Sequence, residues 1–174
     1  CEELKNKNNV FDVDVTKLII NVNNSGITGK QLGDILRYKY NIEVEMDSLK
    51  YVLGITTICD DYKELERLSE ALKEIDKSLE EKQNENISVE LLKNKRMYSI
   101  YETDLKEKNT VNLFDSKDCI SGEFVFLYPP GIPLVVPGEV ITEELLEQIK
   151  VYLEANMNIS GLKDNSNKTI EVVK

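Results

Sequence analysis

The stretch Tyr128–Thr142, YPPGIPLVVPGEVIT, packs all four prolines of the chain into its first ten residues and adds two glycines. Proline fixes φ and glycine opens backbone conformations closed to other residues. The stretch therefore forbids a long helix and reads as a rigid, specifically shaped loop. It ends on Thr142, a helix-capping residue followed by Glu143 and Glu144, so a helix opens there and runs to about Ala155. Beyond it, Thr169–Val173 reads as a last short strand.

Working back from the loop, Phe124–Leu127 and Val111–Phe114 look extended, and Ile87–Asn109 mixes short helix with loop. Glu80–Asn86, EEKQNEN, is polar and charged, and marks a boundary between subdomains 1–85 and 86–174. The first half then reads βαββα. Val15–Val22, VTKLIINV, is β-branched and apolar and is expected to be a buried strand. Asn23–Gly26 forms a turn. Thr28 and Gln31 make a capping box for a helix to about Tyr40. Ile42–Met46 alternates like a strand and Leu49–Ile58 reads as a longer one. Asp60 and Asp61 start a helix expected to reach about Gln83, with Leu65, Leu68, Leu72, Ile75 and Leu79 stepping by three and four. That stripe covers only about two heptads, so packing on the sheet is preferred to a coiled-coil seam.

Apolar residues make up 41% of the chain and charged residues 31%, which suits a folded, well-solvated protein. A net charge of −10 works against nucleic acid and anionic membrane surfaces. No apolar run suits a membrane helix, and the N-terminus lacks the order of a signal peptide. Cys1, Cys59 and Cys119 are scattered and odd in number, as for reduced thiols in a cytoplasmic protein. Without any His, a self-contained hydrolase triad, a zinc or other metal site and a His acid/base pair are not expected.

Gly26-Ile27-Thr28-Gly29-Lys30 has the look of a phosphate loop but lacks its spacing and the Ser or Thr after the lysine, so a plain turn is preferred. Glu43 and Glu45 are two apart on an expected strand and share a face. They could receive a cationic substrate or act as an acid/base pair, or simply face solvent. Cys59 stands beside Asp60 and Asp61, which disfavour a thiolate, and is expected to be a small buried residue.

The sequence YPPGIPLVVPGEVIT resembles the signature of the C-terminal domain of the ornithine/lysine/arginine decarboxylase family. Val111–Glu123, VNLFDSKDCISGE, is similar to the family's preceding segment, and the closing helix and Gly161 also fit. Upstream, Asp14–Leu36, Tyr40–Glu45 (YNIEVE), Tyr51–Asp60 (YVLGITTICD) and Leu68–Ile75 resemble the small domain that follows the cofactor domain in these enzymes. The departures are local: Lys117-Asp118-Cys119 replaces a usual Gly-Arg pair, and Cys59 a usual Gly.

The resemblance implies an α+β fold: a small sheet-and-helix unit of aspartate-aminotransferase type, then a mixed α/β C-terminal domain with a Pro-rich loop. It implies a decarboxylase of arginine, lysine or ornithine. In the family a large-domain lysine next to a His carries pyridoxal phosphate, whose ring takes up the electrons when carbon dioxide leaves. This chain has no His and no lysine in that motif. It is therefore expected to be a fragment without catalytic or cofactor-binding residues, inactive alone, whose partners are the large domain of the same chain and a second copy in a homodimer. By the same resemblance Glu45 would meet the cationic end of the substrate, and Tyr128, Pro129, Pro130, Gly131 and Glu139 would shape a scaffold or entrance channel. The competing expectation is a non-enzymatic acidic module that binds a decarboxylase partner or a polyamine.

Overall fold

In the computed structural model, which describes residues 9–79 and 92–174, the first strand is shorter and wetter than its β-branched composition implies. β1 spans Lys17–Asn21 and lies at the edge of a three-stranded sheet. One of its faces points outward, leaving Ile19 68% exposed, so the expectation of a buried strand over Val15–Val22 is corrected. An edge strand of a sheet covered on one side alone buries only every second residue. The chain divides into two units, Cys1–Asn86 and Ile87–Lys174. The linker reading over Glu80–Asn86, and that for residues 87–91, lie outside the described residues.

In the first unit, helix α1 (Gly29–Tyr40) follows β1 and carries the expected capping box. The Thr28 hydroxyl accepts from the Gln31 N–H at 3.1 Å, and the Gln31 side chain accepts from the Thr28 N–H at 2.8 Å. The helix stops where Asn41 turns left-handed (φ 53°) and donates back to the Leu36 carbonyl. β2 is only Met46–Asp47, β3 is Tyr51–Ile55, and both β1 and β2 pair antiparallel with β3. Helix α2 (Tyr62–Ser78) completes the βαββα order, capped by Asp61 with Glu64 closing a second capping box.

Three expected boundaries move. The strand read over Ile42–Met46 is extended chain that alternates as expected, with Ile42 and Val44 against the core and Glu43 and Glu45 exposed, but it joins the ladder only at Met46. β3 ends at Ile55, short of Ile58, where Asp60 accepts from the Thr57 N–H and hydroxyl and closes a turn. That turn carries Cys59 to the surface, so the expected burial of Cys59 is overturned. The helix expected to reach Gln83 ends at Ser78, whose hydroxyl donates to the Ile75 carbonyl, and Leu79 leaves in an extended conformation. The apolar stripe of α2 packs on the sheet rather than forming a coiled-coil seam: Ala71 and Ile75 join Val22, Leu32, Leu36 and Val52 in one buried cluster.

Among the described residues of the second unit, the first helix is the short α3 (Ile100–Asp104), capped by Ser99. β4 (Lys108–Asn112) pairs antiparallel with β8 (Thr169–Val173), the final strand that the sequence marks. Leu113–Asp115 is a 3₁₀ turn, so the extended reading over Val111–Phe114 holds only to Asn112. A second small sheet has the order β6 (Ile132–Val135), β5 (Val125–Leu127), β7 (Ile159–Ser160). The presumed loop thus contains a strand. Pro133 is accommodated because β6 is an edge strand and because Leu134 bulges out where the register slips between Val125 and Phe126. Helix α4 (Glu143–Glu154) is capped by Thr142 and buries Leu145, Leu146, Ile149 and Tyr152. No helix among the described residues is long and apolar enough to cross a membrane.

Candidate functional site

Three acidic residues, Glu43, Glu45 and Asp47, approach and enter β2, and the fold treats each differently. The Arg37 guanidinium, on the last turn of α1, grips the Glu43 carboxylate, with Nε donating at 3.0 and 2.8 Å. That contact holds the Glu43 carboxyl below its usual range and the guanidinium above its own, although both groups are exposed and screened. Asp47 is 9% exposed beneath α1, where a Cβ on Gly33 would come within 3.0 Å of its Oδ2. Burial pushes its carboxyl up, and Lys30, with Nζ 3.9 Å from Oδ2, pulls it partly back.

Glu45 stands between them. Its backbone N–H donates to the Leu53 carbonyl at 2.8 Å and fixes the entry into β2. Its side chain is exposed and meets no hydrogen-bond donor and no cation among the described residues. Of the two glutamates singled out by spacing, one is engaged and the other is available.

The turn before α1 is closed to phosphate. The Gly29 N–H donates to the Leu49 carbonyl at 3.1 Å and the Lys30 N–H to the Ser48 carbonyl at 2.9 Å, so the amides a phosphate loop would present are already used. The Lys30 ammonium lies 2.5 Å from Asp34.

The other sequence-marked residues belong to the second unit. Tyr128, Pro129, Pro130 and Gly131 form the tip of the β5–β6 hairpin, with cis peptides before both prolines and Gly131 at φ 102°. The Gly131 N–H closes the turn on the Leu127 carbonyl at 2.9 Å. Tyr128 is 54% exposed, so this tip presents a ring to solvent on a stiff mount. Glu139 lies beyond the far end of β6 and is a brace. Its Oε2 accepts from the Val136 N–H at 3.1 Å and from Asn94 Nδ2 at 3.3 Å. Beside it Gly138, at φ 92°, brings the backbone so close to Tyr98 that a Cβ would sit 2.2 Å from the Tyr98 carbonyl oxygen.

A residue that sequence reasoning passed over holds this unit together. Glu123 is 6% exposed, and its two carboxylate oxygens accept from the Lys163 N–H at 2.9 Å and the Glu171 N–H at 2.7 Å. Nothing local marks it, since those partners are 40 and 48 residues away. It also lines a cavity of about 630 Å³ together with Tyr101, Asp104, Lys108, Phe124 and Lys163.

Pyridoxal phosphate does not fit that cavity. Its phosphate would face the carboxylates of Asp104 and Glu123, and the ammonium groups are spoken for, Lys163 by Glu171 at 2.6 Å and Lys108 by Asp104 at 3.7 Å. No group of three His, Cys, Asp or Glu side chains among the described residues is placed to hold a metal ion.

Residues 80–165 match the family model described as the Orn/Lys/Arg decarboxylase C-terminal domain. The chain is 37% identical over 167 residues to an arginine decarboxylase of Bacillus subtilis, covering 94% of this chain and 34% of that protein. It is 32% identical to an arginine decarboxylase of Bacillus anthracis, covering 99% of this chain and 36% of that protein. It thus spans about a third of the length of these curated relatives. Among solved structures, it shares its fold with the lysine decarboxylase of Francisella novicida (TM-score 0.69, 18% identity, 94% of this chain and 31% of that one). It also does so with the constitutive lysine decarboxylase of E. coli (TM-score 0.71, 17% identity, 93% and 32%). The chain belongs to the Orn/Lys/Arg decarboxylase family and contains that family's C-terminal domain.

Proposed function

We propose that this chain serves a pyridoxal-phosphate-dependent decarboxylase of arginine, and that its part in the reaction is to recognise the substrate's positive end through Glu45. The observation that carries the reading is the contrast among the three acidic residues around β2. Glu43 is held by Arg37 and Asp47 lies buried near Lys30, while the Glu45 carboxylate is exposed and uncommitted. A guanidinium can donate two parallel hydrogen bonds to such a carboxylate. Arginine is put ahead of lysine and ornithine because the similar curated proteins carry the name arginine decarboxylase, whereas the likeness to lysine decarboxylases is one of fold.

The cofactor, which would supply the electron sink for loss of carbon dioxide, is assigned to a part of the enzyme other than the described residues, in keeping with the poor fit of the cavity at Glu123. Catalysis accordingly needs a large domain, and the chain by itself is expected to release no carbon dioxide. A homodimer and a cytoplasmic setting complete the proposal.

The test is carbon dioxide release from arginine, lysine and ornithine by the full gene product and its Glu45→Gln variant. A charge-assisted hydrogen bond contributes about 1.5–3 kcal/mol, so kcat/KM for the preferred substrate is expected to fall about 10- to 100-fold. Equal activity of the two proteins would remove Glu45 from the site. No activity on any of the three substrates would reject the decarboxylase reading.

A further inference from the structure

Among the described residues of the first unit, the helices cover the sheet on one side only. Ile20 and Val52 face inward to α1 and α2, where Val52 is fully buried. Their neighbours therefore face the other way. Ile19 pairs with Leu53 and Leu53 with Met46, so these three side chains form one row across all three strands, with Ile55 beside it on β3. Ile19 is 68% and Ile55 37% exposed. The strand positions flanking the row on this face are Lys17, Asn21 and Tyr51, so the face carries no carboxylate although the chain's net charge is −10. An apolar row of this kind, with Lys17 as the charged strand position beside it, is what a packed partner covers.

We propose that the row Met46–Leu53–Ile19, with Ile55, is the surface on which the preceding, larger part of the decarboxylase seats. Two observations choose this occupant. The matched model is a C-terminal domain and the chain spans 34% of the Bacillus subtilis relative, so in that relative about two thirds of the polypeptide lies outside the matched region. Glu45 is also part of this edge, since its N–H is hydrogen bonded to the carbonyl of Leu53, the central residue of the row. A part that covers the row thereby lies next to the backbone that carries Glu45, the residue assigned to the substrate. The inference rests on the decarboxylase reading and adds to it the surface that joins the two parts.

The experiment places the photoreactive residue benzoylphenylalanine at position 19, and separately at position 55, in the full gene product, with position 101 as a control. After irradiation, cross-linked peptides are mapped and the chain mass is read on a denaturing gel. Positions 19 and 55 are expected to cross-link within one polypeptide to peptides that precede Cys1, and position 101 is expected not to. Cross-links to a second copy, cross-links to residues 87–174, or none at either position would overturn the proposal. Carbon dioxide release by the unmodified gene product separates the two levels: an active enzyme with misplaced cross-links sinks only the surface, and an inactive one sinks the reading beneath it.

Discussion

The two units achieve order by different means. The first is a sheet with two amphipathic helices on one side, and its interior is aliphatic: Val22, Leu32, Leu36, Val52, Ala71 and Ile75. The second has short strands in two small sheets, and it buries polar side chains among its apolar ones. Thr103, Ser116 and Ser121 are fully buried, each spending its hydroxyl on a nearby carbonyl, and Glu123 clamps two distant backbone amides. The strands of the second unit are as short as those of the first but are split between two sheets, and polar brackets and close backbone contacts at Gly122 and Gly138 tie its segments together. Both units bury apolar side chains, and the second adds to them buried polar groups whose donors and acceptors are satisfied.

The difference can be tested by injuring each unit in its own way and following two thermal transitions. The largest effect is expected from Leu36→Ala, which empties a fully buried site and should cost the first unit about 2–5 kcal/mol while leaving the second transition in place. Glu123→Ala should lower the second transition by about 2–3 kcal/mol through the stranded Lys163 and Glu171 amides. If that variant melted like the wild type, the bracket would not be what holds the unit. Thr28→Ala removes one cap hydrogen bond of α1 and should cost about 1 kcal/mol, seen in the first transition alone.

The smallest effect concerns pH. Burial raises the Asp47 carboxyl above its unfolded value, so the folded chain holds that proton more tightly. Its cost to stability is absent below the unfolded value of 3.8, grows as pH rises toward the folded one, and is complete only above it. Asp47→Asn should therefore raise the first melting temperature slightly at pH 7 and not at pH 3, and equal shifts at both would show that the desolvation cost is not expressed.

The same contrast explains how far the sequence could be read. Helix starts were legible at Thr28, at Asp60–Asp61 and at Thr142, because capping side chains and first-turn charges are local signals. The βαββα order followed from periodicity for the same reason. What escaped depended on neighbours. Whether β1 is buried is decided by what covers its outer face, and whether Pro133 ends a strand or joins one is decided by the bulge at Leu134. Cys59 was misjudged because the Thr57–Asp60 turn, and not the strand before it, sets its exposure. At the candidate site, spacing marked Glu43 and Glu45 together and family resemblance picked Glu45, and the structure adds the Arg37 contact that engages Glu43. Glu123 had no local signature at all.

The central claim is that the uncommitted carboxylate of Glu45 reads positive charge on the substrate, and its most direct test compares arginine with citrulline, the neutral isostere. In the full gene product, Glu45→Gln should lower the ratio of kcat/KM for arginine over citrulline about 10- to 100-fold, while Glu43→Gln should leave that ratio unchanged. An unchanged ratio in Glu45→Gln, or an equal fall in Glu43→Gln, would contradict the account.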